Sequence, residues 1–240
     1  MSVKNILKKR FPFIVRVKAA WVEWRFNHRS RHAYAIYRWN RNQCKNRLWD
    51  EQSLDSDSVV FDLGGYVGDW TAKMLEKNPN SQYYIFEPVH SFYEGLIDRF
   101  RKLENVRVFC LGLEDQSSSQ IIKLDADASS IYPNNKGKDC KTEEIQFVCM
   151  HDFLLENGIS RISLMKVNIE GGEYNLLEHV LQTGDIKKIQ HIVIQFHNIP
   201  NIQSYKRMKE IRRRLRKTHR IEWAYYPFVW DKWNLRRKYL

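Results

Sequence analysis

The sequence is poor in the residues that build cross-linked or non-globular architectures. It contains four cysteines, six prolines and ten glycines in 240 residues, which excludes a collagen-like chain, a proline-rich linker and a disulfide-dense miniature. Cys44, Cys110, Cys140 and Cys149 are scattered, with no CxxC pair and no metal-finger spacing. They read as free thiols in a reducing compartment. No apolar run approaches the roughly 20 residues of a membrane span. The stretch Phe11 to Val15 is broken by Arg16 and is too short for a secretory core. These absences predict a cytoplasmic chain. What is plentiful, 43% hydrophobic residues and 13% aromatics, predicts a globular protein whose length suits one domain with a sizeable appendage.

Charge is distributed unevenly. Residues 1–50 hold 13 Lys/Arg against 2 Asp/Glu, residues 51–202 hold 14 against 23, and residues 203–240 hold 13 against 3. Both ends are basic and the middle is acidic. An enzyme acting on nucleic acid surrounds its site with positive potential, whereas an acidic middle suits a cationic cofactor or an uncharged substrate. Near the start, Phe13, Val17, Ala20, Trp21 and Trp24 fall on one helical face, away from Arg16, Lys18, Glu23 and Arg25. That stripe fits either packing against the chain's own domain or contact with an anionic membrane surface. Residues 1–57 are read as a basic, aromatic-rich helical extension and residues 58–240 as the main domain.

From Ser58 onward strands and helices alternate. Val59 to Leu63 is a strand stopped by Gly64-Gly65, Asp69 to Lys77 a helix, Tyr83 to Phe86 a strand, His90 to Leu103 a helix and Val106 to Leu111 a strand ending at Gly112. The alternation then lapses. Gln120 to Leu124 and Ile145 to Cys149 read as short strands around a polar surface excursion, Asp125 to Glu144. It resumes with a strand Ile162 to Ile169, a helix Glu173 to Leu181, a strand Ile189 to Phe196 and a helix Ser204 to Lys217. Ile221 to Trp230 reads as one or two closing strands. Such alternation implies a mostly parallel sheet with helices on both faces.

In such a sheet the ligand binds at the carboxyl ends of the strands, where the strand order reverses. The first turn is Asp62-Leu63-Gly64-Gly65-Tyr66-Val67-Gly68. It fails the GxGxxG dinucleotide fingerprint, because Leu63 stands where the first glycine belongs, and no Lys-Ser or Lys-Thr pair follows for a phosphate loop. Asp62 would repel pyrophosphate and attract an ammonium or sulfonium. S-adenosylmethionine carries both cations and no phosphate. Glu87, closing the second strand, stands where a carboxylate accepts hydrogen bonds from ribose hydroxyls.

The second chemical segment is Lys166-Val167-Asn168-Ile169-Glu170-Gly171-Gly172-Glu173. Strand alternation puts Lys166, Asn168 and Glu170 on one face at the strand's active end. Glu173 opens the next helix, where it complements the macrodipole or serves the site. His197 ends the following strand, sharing a face with Gln195, and is a natural general base near neutral pH. Asn168, Glu170 and His197 could alternatively hold a hard divalent metal; the preferred reading has none.

Taken together, VVFDLGGYVGDWT (59–71), YIFEP (84–88), LMKVNIEGGEYNLL (164–177) and IVIQFHN (192–198) resemble the FkbM family of S-adenosylmethionine-dependent methyltransferases. The resemblance covers roughly residues 58–198, and the third block is its most specific part. It implies a class I, Rossmann-like methyltransferase fold with a reversed final strand near Ile221 to Trp230, and O-methylation of a sugar, glycan precursor or other hydroxylated metabolite. It further implies that Asp62, Gly64, Gly65, Gly68, Thr71 and Glu87 contact the cofactor and that Gly112, Leu113 and Glu114 lie near its adenine. Lys166, Asn168, Glu170, Glu173 and His197 would line the acceptor side. The family's junction often has Asp where this chain has Asn168, and its next strand often ends Glu-x-His where this chain has Gln195-Phe196-His197. Both exchanges remove a negative charge, which weakens the metal reading and gives His197 or Glu170 the role of base. Two rivals stay open. One is an RNA or tRNA methyltransferase using Arg212, Arg213, Arg214 and Arg216 beside Trp223, Tyr225 and Tyr226. The other is a membrane-associated scaffold without catalysis.

Overall fold

Wherever a glycine or an Asn-Pro pair stops the chain, the spacing of its apolar residues switches between the strand period of two and the helical period near 3.6. The computed structural model describes residues 31–41, 44–51, 54–124, 141–199 and 201–239. A helix α1 (Arg31–Arg41) and a short 3-10 turn (Cys44–Trp49) precede strand β1 (Val59–Leu63), helix α2 (Asp69–Lys77), β2 (Gln82–Phe86), α3 (His90–Phe100) and β3 (Val106–Phe109). Three strands follow: β4 (Gly112–Glu114), β5 (Ser118–Leu124) and β6 (Lys141–Cys149). The remainder is α4 (Met150–Glu156), β7 (Ile162–Val167), α5 (Glu173–Thr183), a 3-10 turn (Asp185–Lys188), β8 (Ile189–Gln195), α6 (Ser204–Thr218), β9 (His219–Ala224), β10 (Trp230–Leu235) and a final turn (Arg237–Tyr239).

The main sheet has the order β3-β2-β1-β7-β8-β10-β9. The strands from β3 to β8 run parallel, and β10 lies antiparallel to both β8 and β9. Strand order therefore reverses between β1 and β7. One face packs Phe61, Leu63, Phe86, Met165, Val167 and Ile192 against α4, α5 and α6. The other packs Val60, Tyr83, Leu164 and Val193 against Ala35 and Trp39 of α1 and Trp70 and Met74 of α2, while Leu96 and Phe100 of α3 cover Ile85. The expected α/β architecture, with a mostly parallel sheet and helices on both faces, is present.

The segment before β1 is joined closely to this body. Trp39 lies 5.1 Å from Tyr225 and 6.5 Å from Trp230, ring to ring. Trp70 Nε1 donates to Leu48 O at 2.8 Å, and the buried Lys232 ammonium stands 3.1 Å from Glu51 and donates to Asp50 O. Among the described residues this segment and Glu222 supply the partners of Lys232, so the contact fixes residues 50–51 on β10.

Several expected boundaries differ. The third strand stops at Phe109, and Gly112 to Glu114 begins a separate three-stranded sheet of order β4-β6-β5. Thr142 to Glu144, expected in a surface excursion, extend the strand that pairs with β5. The closing segment is a pair of strands, and the reversed one beside β8 is β10, which runs on to Leu235. The amphipathic stretch Phe13 to Trp24, Cys140 and residues 125–139 lie outside the described residues. Among the described residues no helix is long and apolar enough to cross a membrane.

Candidate active site

A cavity of about 210 Å³ opens at the carboxyl edge of the sheet, at the β1/β7 reversal. Gly64 begins the turn after β1 with φ +79, and a Cβ there would stand 2.1 Å from Asn168 O. Only glycine fits, because the turn is left-handed and passes directly against the end of β7. Beneath it Asp62 and Lys166 are register partners on adjacent strands. Lys166 Nζ donates to Asp62 Oδ1 at 2.8 Å and to Gly64 O at 2.7 Å, and Thr71 Oγ1 donates to Asp62 Oδ2 at 2.7 Å. All three side chains are buried, Asp62 to 1% exposure. The buried pair is compensated on both sides, and it fixes the carbonyl of the glycine turn.

Glu87 leaves β2 on the cavity wall. Its carboxylate accepts Tyr66 N at 2.8 Å and Val89 N at 3.0 Å. Burial raises its pKa, against the two N–H bonds and the Lys166 charge, which lower it. Tyr66 takes φ +49, an uncommon conformation for an aromatic residue, and sets its ring edge-on to Phe92 at 4.6 Å. Val89, Phe92, Ile122, Ile145 and Phe147 form an apolar slot behind Glu87, closed by Leu113. Glu114 stands at that end, 3% exposed, with long contacts from Gln120 Nε2 (3.4 Å) and Asn175 Nδ2 (3.5 Å). Burial first, and Asp115 second, raise its pKa.

The other wall is the end of β7. The strand stops at Val167, so alternation does not carry through to Glu170. Asn168 and Glu170 line the cavity while Lys166 is turned back onto Asp62. Asn168 Oδ1 is buried and has no hydrogen-bond donor among the described residues. Glu170 adopts φ +46; a non-glycine residue held there stores strain of order 1–3 kcal/mol. Behind it lies His197, its side chain 14% exposed, with Nε2 3.3 Å from Glu170 Oε1 in an ion pair too poorly aligned for a hydrogen bond. Glu173, fully buried, accepts His197 N at 2.8 Å, His197 Nδ1 at 3.3 Å and Gly171 N at 2.7 Å. Burial opposes charge on His197, but the flanking carboxylates outweigh it and push the imidazole pKa up to about 9. The same pairing, above all, holds Glu170 below the usual carboxylate range.

The expected residues therefore divide. Gly64, Glu87, Gly112, Leu113, Glu114, Asn168 and Glu170 reach the cavity wall. Asp62, Thr71, Lys166, Glu173 and His197 form the layer behind it, where Asp62 accepts from Thr71 with one oxygen and from Lys166 with the other. Gly65 and Gly68 face packing: a Cβ would lie 2.3 Å from Ile85 Cγ2 and 2.7 Å from Phe100 Cε2, respectively. His197, expected as a general base, stands between Glu170 and Glu173, and these carboxylates favour its charged form. Tyr66, Val89, Phe92, Ile122, Ile145 and Phe147 escaped the sequence reading. Of these, Tyr66, inside the glycine turn, and Val89, directly after Glu87-Pro88, carry a positional signal.

Three carboxylates and no Lys, Arg or His line the cavity among the described residues. Among the described residues no cluster of three His, Cys, Asp or Glu could hold a metal ion. The wall fits S-adenosylmethionine: an acidic surface for its cations, Glu87 where ribose hydroxyls need an acceptor, an unsatisfied buried acceptor at Asn168, and an apolar slot of adenine character.

Comparison with known proteins agrees. The methyltransferase FkbM domain matches residues 62–220. Methyltransferase 1 of Beauveria bassiana is 28% identical over 155 residues, covering 55% of this chain and 62% of the relative. The chain thus spans less than two thirds of that relative's length. Among solved structures, the methyltransferase FkbM from Methylobacillus flagellatus superposes with a TM-score of 0.50 at 12% identity, over 75% of this chain and 44% of that one. SMU.1697c from Streptococcus mutans, solved in complex with SAH, gives a TM-score of 0.48 at 8% identity, over 81% of this chain and 97% of that one. The likeness to the Methylobacillus structure is one of fold.

Proposed function

The chain belongs to the FkbM family of S-adenosylmethionine-dependent methyltransferases, and from that premise we propose that it methylates a hydroxyl oxygen of a sugar, glycan precursor or similar hydroxylated metabolite. The observation carrying this reading is the sign of the cavity wall, with Glu87, Glu114 and Glu170 and no cationic side chain among the described residues. Such a wall repels phosphate and attracts a sulfonium or an ammonium. When bound, S-adenosylmethionine supplies a methyl group already activated by positive sulfur. The residues of the chain then have to position the reactants and take up a proton.

Glu87 is assigned to the ribose hydroxyls, since its oxygens keep acceptor capacity beyond the two backbone N–H bonds. Asn168 Oδ1 is assigned to a ligand donor, and the slot at Phe92, Ile122 and Phe147 with Glu114 to the adenine. Asp62, Thr71 and Lys166 are positioning residues for Gly64. Glu170 is the proposed base: the acceptor O–H gives its proton to this carboxylate as the oxygen takes the methyl group. A weakly basic carboxylate suffices, because the hydroxyl becomes strongly acidic as its oxygen is alkylated. His197, charged, holds Glu170 on the wall, and Glu173 holds His197.

An RNA acceptor draws less support, because of the arginines it would use Arg212 is buried against Asp231 and Arg213 is paired with Glu210. The test is transfer of a labelled methyl group from S-adenosylmethionine to a panel of free sugars, sugar nucleotides and polyols, with total RNA alongside. Label on a sugar oxygen supports the proposal. Label on RNA alone overturns it.

A further inference from the structure

The amino edge of the sheet, opposite the cavity, gathers chain segments that are far apart in sequence. The turn before β8 (Asp185–Lys188), the end of α6 and the turn after β10 (Arg237–Tyr239) all arrive there. They are in contact. Arg236 N donates to Thr218 O at 2.9 Å, the Arg236 guanidinium donates to Arg216 O, and Lys187 Nζ lies 5.7 Å from the Tyr239 ring centroid. Residues 185–188, 216–220 and 236–239 hold eight Lys/Arg and a single acid, Asp185. That acid is buried to 3% and bound to Lys188 and His151. Lys187, Arg220, Arg237 and Lys238 are exposed.

Part of this charge has a local explanation. Arg216 and Lys217 complement the carboxyl end of the α6 dipole, and Arg236 caps it. Arg220, Arg237, Lys238 and Lys187 lie beyond that helix end and are not accounted for by it.

We propose that this edge is a docking surface for an anionic lipid membrane. The inference does not depend on the methyl-transfer reading. Two observations favour lipid over nucleic acid. The patch lies on the far side of the sheet from the cavity, so a polynucleotide bound there is not presented to the site, whereas a membrane held there leaves the cavity mouth open to water. In addition, the aromatic ring of the patch, Tyr239, has the ammonium groups of Lys238 and Lys187 over it, at 4.9 and 5.7 Å, which denies it to a stacking base. A tyrosine flanked by lysines is suited to the interface, where ring and alkyl stems reach the headgroup layer and the charges meet phosphate.

The experiment is co-sedimentation of the full chain with vesicles of phosphatidylcholine alone or mixed with phosphatidylglycerol, across a salt series. A parallel titration uses oligouridylate. One variant carries Lys187→Gln, Arg220→Gln, Arg237→Gln and Lys238→Gln. A second, with the same net charge, carries Arg31→Gln, Lys73→Gln, Lys206→Gln and Lys209→Gln, all exposed and away from that edge. Thermal melts establish that both are folded. The account expects the chain to pellet with phosphatidylglycerol vesicles only, and to dissociate at high salt. The patch variant should lose about fivefold in partitioning per charge removed, while the second variant stays near the parent. Undiminished binding of the patch variant, equal loss in both variants, no pelleting of the parent, or patch-dependent binding of oligouridylate without vesicle binding would each overturn the proposal.

Discussion

The two edges of the main sheet differ in which residues take the left-handed backbone conformation. At the amino edge, chain reversals that need a left-handed residue use Gly158 and Gly184, with φ +63 and +88 and nothing within 4 Å of a notional Cβ. At the carboxyl edge Gly64, Gly68 and Gly171 are joined by five non-glycine residues in that conformation, Tyr66, Glu170, Asn201, Gln203 and Phe228. The carboxyl edge also carries the three cavity carboxylates, while Lys187, Arg220, Arg237 and Lys238 are exposed at the amino edge. Where only a turn is required, the cheapest residue is present. Strained residues remain where the side chain itself is used, as with Glu170 on the cavity wall and Tyr66, which lines the cavity with its ring against Phe92.

The contrast can be broken by substitution. The largest effect is expected for Glu170→Gln, which should cut methyl transfer by about 10²–10⁴-fold while leaving cofactor affinity within about threefold; rate at saturating cofactor, set beside titration calorimetry, checks both. Gly64→Ala should come next. Its Cβ meets a backbone oxygen at 2.1 Å, and a loss of more than about 3 kcal/mol is expected in denaturant unfolding. Glu87→Gln keeps the shape but loses the charge, and should weaken binding of S-adenosylhomocysteine by about 10–100-fold.

Two histidines sharpen the comparison through pH. At the carboxyl edge His197 is raised from 6.5 to about 9, so its contribution to stability is complete below pH 6.5 and is lost as pH rises through about 9. At the amino edge His219 is buried, bonded to Thr218 Oγ1 and Ile189 O. Burial lowers it to about 4, so the unfolded chain takes up a proton first and stability falls as pH drops from 6.5 towards 4. In melting temperature against pH, His197→Gln should flatten the alkaline limb relative to the parent, and His219→Gln the acid limb. The smallest effect is expected at Gly184→Ala, about 1 kcal/mol, because the site is left-handed but open.

Much of this was legible in the sequence where the signal is local. β1 and α2 begin and end where the apolar period, Gly64-Gly65 and Asn78-Pro79 put them. Glu87, Asn168 and Glu170, which line the cavity, are legible because strand ends next to glycine or proline mark the carboxyl edge of the sheet. What the sequence did not reveal depends on partners distant along the chain. Asp62 reads as a free carboxylate until β7 brings Lys166 beside it, 104 residues later. His197 reads as a lone imidazole at a strand end until Glu170 and Glu173 flank it. The sheet of β4, β6 and β5 breaks the strand-helix rhythm, so Ile122, Ile145 and Phe147 gave no sign that they wall the cavity.

The central claim is that the acidic cavity at the β1/β7 reversal holds S-adenosylmethionine. Titration calorimetry of the purified chain with S-adenosylhomocysteine and, separately, with NAD tests it most directly. The account predicts one-to-one binding of the first, weakened in Glu87→Gln, and none of the second. Absence of S-adenosylhomocysteine binding, or NAD binding of equal strength, would contradict it.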